Sequence, residues 1–165
     1  MRSYWLLMIR ILDSICIQFY PRLRLLRWAW HGPMSLSKFQ LAFGELMVFS
    51  LQQGANRWLI DSASLPPLGP DEQAWLSDFW LPCTEHLGLR HLALVLPGDV
   101  HNQLIVDSVI SDGQRYVKAN IQFFSDASTA LDWLTGSTTL MRDMELEWRA
   151  ANAFRCHARG HFVTC

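Results

Sequence analysis

The stretch that decides the fold is His91-Leu92-Ala93-Leu94-Val95-Leu96, followed by Pro97-Gly98-Asp99. An unbroken apolar run of this length, ended by a turn pair, is what a strand buried on both faces requires. Asp99 then caps a helix through Leu104, Ile105, Val109 and Ile110 that ends at Gly113. The same pattern precedes it at Arg57-Trp58-Leu59-Ile60-Asp61, a short apolar strand followed by the proline-rich loop 62–70. There Asp71 and Glu72 open a helix carrying Ala74, Trp75, Phe79 and Trp80, which Pro82 should kink and Gly88 should end. It recurs at Ile121–Phe124, where Ser125-Asp126 caps a helix containing Ala130, Leu131, Trp133 and Leu134.

Upstream the pattern changes. Ser14–Tyr20 and Leu23–Trp30 are rich in β-branched and aromatic residues, with Pro21 between them, and read as an antiparallel hairpin. His31-Gly32-Pro33 breaks the second strand. Ser35 or Ser37 then caps a helix with Phe39, Phe43, Leu46 and Met47 on one face and Gly54 at its end. The expected fold is therefore a single α/β domain over residues 11–136. Its mixed sheet has about five strands, the hairpin leading into right-handed β-α-β units, with helices flanking it. Residues 1–10 read as an N-terminal extension. Residues 137–165 read as a C-terminal one, with a helix over Leu140–Arg155 that packs on the domain or forms a dimer contact, and then a tail.

Composition bounds the function. The chain has 165 residues, 50% of them hydrophobic and 18% charged, with a net charge of -1. That suits one packed core and excludes a disordered chain. It also lacks the basic excess a nucleic-acid surface needs. The apolar run Tyr4–Ile9 is interrupted by Arg10 and Asp13, too short for a transmembrane segment or a secretion signal. Cys16, Cys83, Cys156 and Cys165 are scattered as reduced thiols would be, so a cytoplasmic location is expected.

No phosphate-cradling loop, nucleophile elbow, zinc helix or dinucleotide fingerprint appears, and the histidines stand singly. A non-enzymatic protein without a cofactor is expected. Asp61, at the carboxyl end of an inner strand, is a rim position where open α/β sheets place ligands, although capping of its own turn is the commoner explanation of such a carboxylate. Asp99, Asn102 and Gln103 lie at the matching end of the next strand. Asp99 is explained as a cap; Asn102 and Gln103 have no evident structural task. Trp28 and Trp30 share one face of the hairpin's second strand, where they could line an apolar pocket or face a partner. Cys156, His161 and Cys165 are weak candidates for a zinc site, lacking ligand pairs at standard spacing.

The order and spacing of these motifs resemble the STAS domain, in its SpoIIAA-like branch of small bacterial proteins. The resemblance rests on Trp30-His31-Gly32, Trp58-Leu59-Ile60-Asp61, Trp75 with Trp80, Ala93-Leu94-Val95, Asn102-Gln103, and Phe124-Ser125-Asp126 leading to Ala130-Leu131-Asp132-Trp133-Leu134. It covers residues 11–136. It implies a regulatory module, similar to anti-sigma-factor antagonists, that acts by docking to a protein partner. In such antagonists a serine near the start of the second helix is phosphorylated. The corresponding residues are Ser62 and Ser64, but Leu65–Pro70 displace both from the helix N-terminus that would stabilise a phosphate. The lipid-carrier kinship of this branch, with the aromatic excess around Trp28, Trp30, Trp75 and Trp80, implies an alternative: a carrier or sensor of a lipid or small apolar ligand.

Overall fold

The computed structural model describes the backbone of residues 8–159 and the side chains of residues 8–153. Its centre is a six-stranded mixed sheet whose spatial order equals chain order. The strands are β1 (Met8–Ile11), β2 (Ile15–Tyr20), β3 (Leu25–Trp30), β4 (Arg57–Asp61), β5 (His91–Val95) and β6 (Asn120–Phe124). The pairs β1–β2 and β2–β3 are antiparallel, and β3 through β6 run parallel. The expected α/β class is correct, with one strand more than the roughly five anticipated. The addition is β1, whose Arg10 reads as the end of an apolar run. On an edge strand a charge facing solvent is favourable, because it discourages pairing with other chains. Arg10 also lies over the Phe49 ring, 5.2 Å from its centroid.

Among the described residues, six α-helices flank the sheet. Helix α1 (Leu36–Gln53) starts where Ser35 accepts a hydrogen bond from the Lys38 N–H and ends at Gly54, φ 63°. The next connection is irregular: α2 (Pro70–Trp75), a π turn (Leu76–Trp80), α3 (Leu81–Cys83) and a 3-10 turn (Thr84–Leu87). Pro82 has no N–H to give, and just before it the Leu81 N–H reaches back five residues to the Leu76 carbonyl. The kink expected at this proline is thus a widened turn. Helix α4 (Val100–Gly113) is capped by Asp99, and α5 (Ala127–Thr135) by Asp126. Helix α6 spans Thr138–Arg159.

Strand alternation assigns the two faces. Ile17, Leu26, Trp28, Trp58, Leu92 and Leu94 pack against α1, the α2–α3 segment and α4. Leu25, Leu59, Ala93 and Val95 pack against α5 and α6, through Leu131, Leu134 and Met144. Cover on both faces explains why β4 and β5 read as continuous apolar runs. The C-terminal helix, read as an extension that packs on the domain or forms a dimer contact, packs on it as part of its second layer: Met144 is 1% exposed and Trp148 is 9%.

The tryptophans follow the same division. Trp28, Trp30, Trp58, Trp80 and Trp148 are buried, so neither Trp28 nor Trp30 faces a partner. Trp75 and Trp133 are half-buried, and Trp5 lies outside the described residues. No helix among the described residues is long and apolar enough to cross a membrane.

Candidate functional site

Where the first face of the sheet meets α1, α3 and α4, packing leaves an apolar cavity of about 90 Å³. Its wall is mostly aliphatic and includes five aromatic rings, Trp28, Phe39, Phe43, Trp58 and Trp80. Phe43 is the hub, its ring centroid 5.2 Å from Trp28, 5.1 Å from Trp80 and 4.4 Å from Phe39. The π turn contributes Leu76 and Trp80 to the wall, so the distorted part of the second connection borders the void. Close-packed interiors rarely keep voids of this size. At roughly 24 cal/mol per Å³, it costs about 2 kcal/mol of stability.

The polar groups of this wall divide sharply. The Ser62 hydroxyl donates to the Val95 carbonyl, the Thr84 hydroxyl to the Leu81 carbonyl, and the Trp80 indole to the Phe43 carbonyl. The indole N–H groups of Trp28 and Trp58 are buried with no hydrogen-bond partner. None of the described residues lining the cavity is charged.

The loop between β4 and α2 closes one side through Leu65 and Leu68. Asn102 holds it in place. This side chain is fully buried; its Oδ1 accepts from the Leu68 N–H at 2.9 Å, and its Nδ2 donates to the carbonyls of Leu65 (3.1 Å) and Pro66 (3.0 Å). His101 adds a contact from Nε2 to the Leu68 carbonyl at 2.9 Å. Gln103 donates to the Pro97 carbonyl at 2.9 Å. Asn102 and Gln103 therefore have structural tasks after all, and Asn102 serves the cavity by fastening its lid.

The predicted rim is accordingly dispersed. Asp99 accepts from the Asn102 N–H at 2.8 Å, as a helix cap does. Ser62 is 4% exposed with its hydroxyl engaged, which withdraws it as a phosphorylation site, whereas Ser64 is exposed. Asp61 points to the opposite face. It accepts from the Ala63 N–H at 3.3 Å and pairs with Arg27 at 3.5 Å. Arg27, buried mid-strand, also meets Glu145 of α6 at 2.5 Å and lies 4.1 Å from the Trp148 ring centroid. Asp61, Ser64, Trp30 and Trp148 border a shallower cleft of about 440 Å³ beside α6.

Sequence reasoning missed Arg27, although a signal was present: a charge between Leu26 and Trp28 in an apolar strand must have partners. Among the described residues no group of histidines, cysteines and carboxylates is placed to hold a metal. Cys156, His161 and Cys165 lie outside the described side chains. The chain matches no protein-family model, curated protein or solved structure.

Proposed function

We propose that this protein is a non-catalytic binding module, acting in the cytoplasm, for a small uncharged molecule held in the aromatic cavity beneath β3 and β4. The observation that carries the reading is the cavity itself, which combines an apolar wall containing five aromatic rings with the absence of charge among its described lining residues. An apolar void smaller than the roughly 150 Å³ engineered cavity that accepts benzene suits a ligand of about ring size. A charged ligand would lose its hydration without gaining a counter-charge, so the molecule is neutral. Its size rules out a long acyl chain, which narrows the apolar-ligand alternative read from the sequence to compact molecules.

Thermal unfolding tests it. At a free concentration 100 times Kd, a ligand of the native state adds about 2.7 kcal/mol, which raises Tm by about 5–10 °C for a domain of this size. A panel of small neutral ring compounds should contain members that do this. A uniformly flat response across the panel would sink the reading.

Docking to a protein partner, as the STAS resemblance implies, is the second reading. It is favoured by the exposed side of α1, where Leu41 is 58%, Val48 54% and Leu51 49% exposed. This stripe adjoins a shallow groove that also includes Arg10 and Leu12, next to the edge strand. Ser64 is then the serine open to a kinase. A Leu41→Asp/Val48→Asp double variant should lose any partner that the wild-type protein retains, a second copy of the chain included.

A further inference from the structure

From the two unpartnered indoles we infer that the cavity's ligand carries a carbonyl-type oxygen, and that Trp28 and Trp58 are the residues that select it. This deepens the proposed function and rests on it. Both rings line the cavity, Trp28 is 3% exposed and Trp58 0%, and both Nε1 atoms are buried with no acceptor. They stand on adjacent parallel strands as diagonal neighbours, Trp28 opposite Ile60 and Trp58 opposite Leu26, on the same face of the sheet. Strand geometry thus places both indoles on the sheet wall of the cavity.

Tryptophan has one donor and no acceptor, so neither indole can satisfy the other. The neighbouring indoles show the contrast: Trp30 donates to the Gly32 carbonyl and Trp80 to the Phe43 carbonyl, both at 3.0 Å. Of the seven tryptophans whose side chains are described, the two whose indole N–H is buried without a partner are both in this wall. A carbonyl oxygen offers two lone pairs and has no proton of its own to place, which matches a pair of donors. A water accepting both would have two protons to place, for which the Ser62 and Thr84 hydroxyl oxygens are the side-chain acceptors among the described lining residues. An alcohol would have one. A site built to pair with a polar atom rejects the analogue lacking it, because its own groups then stay unpaired.

The test compares cyclopentanone with methylenecyclopentane, near-isosteres that differ in an oxygen acceptor against a methylene group. Binding to the full chain is followed by the indole ¹⁵N–¹H resonances, with Trp28→Phe and Trp58→Phe used to assign them. The expected result is at least about tenfold tighter binding of the ketone. The Trp28 and Trp58 N–H signals should move with the ketone and not with the hydrocarbon, and the preference should shrink in each variant that keeps the wild-type circular dichroism. Equal affinity for the two compounds, or ketone binding that leaves both N–H signals in place, would overturn the acceptor inference while leaving a binding cavity. Binding of neither compound would overturn both. The wild-type comparison decides the matter even if a variant fails to fold.

Discussion

Arg27 occupies a position that a hydrophobic residue would fill in most parallel sheets, and its surroundings show what keeps it there. The Arg27 side chain is 3% exposed, and its guanidinium meets two carboxylates and an indole face. Desolvating an arginine is tolerable only where such partners share the charge. Glu145 is the nearer carboxylate, and it joins α6 to the sheet. Truncating it would leave Arg27 with the longer contact to Asp61 as its one carboxylate partner among the described residues, beside the Trp148 ring. Glu145→Ala should therefore cost about 3 kcal/mol in urea unfolding, as loss of one member of a buried pair does. A change below about 1 kcal/mol, typical of exposed pairs, would show that this cluster is solvated in solution.

At the scale of elements, the sequence revealed those whose pattern is local. Strands β4 and β5 announced themselves as apolar runs, and Ser35, Asp99 and Asp126 were recognisable as caps. Gly54, Gly88 and Gly136 take left-handed conformations at helix ends, where only the backbone freedom of glycine is needed. What stayed hidden depends on long-range partners. The role of Asn102 is invisible until the loop 34–37 residues away in sequence is folded against it. The place of α6 is invisible until Gln18, buried on β2, donates to the Met144 carbonyl across 126 residues. Helix α6 reads as an extension because it follows the last β-α unit, but it is the cover of β2 and β3. Ending the chain at Gly136 would uncover Gln18 and Arg27 and lose the burial of Met144 and Trp148. With each large apolar side chain worth about 1.5–3 kcal/mol, these two alone contribute about 3–6 kcal/mol, comparable with the lower end of a typical domain's stability. The shortened chain should show no cooperative thermal transition; one within a few degrees of the full chain's Tm would contradict the assignment of α6 to the core.

For the whole molecule, the cavity sits where the three β-α-β crossovers converge on one face, while the other face is closed by a helical pair. That asymmetry gives the void its meaning. On the face opposite α5 and α6 the fold keeps an apolar space with five aromatic rings in its wall. Voids that serve nothing are easily filled, because cavity-filling substitutions commonly add about 0.5–2 kcal/mol. If this one is a binding site, filling it must trade function for stability. Val106, on α4, lines the cavity and is 9% exposed, so phenylalanine there would place four further carbon atoms against the void. Val106→Phe should raise stability by about 1 kcal/mol and Tm by about 3 °C, while abolishing the thermal shift produced by ring-sized ligands. The two effects must appear together. Stabilisation with ligand response intact would place the binding elsewhere, and destabilisation by more than about 1 kcal/mol would mean that the wall is rigid and already full at this point.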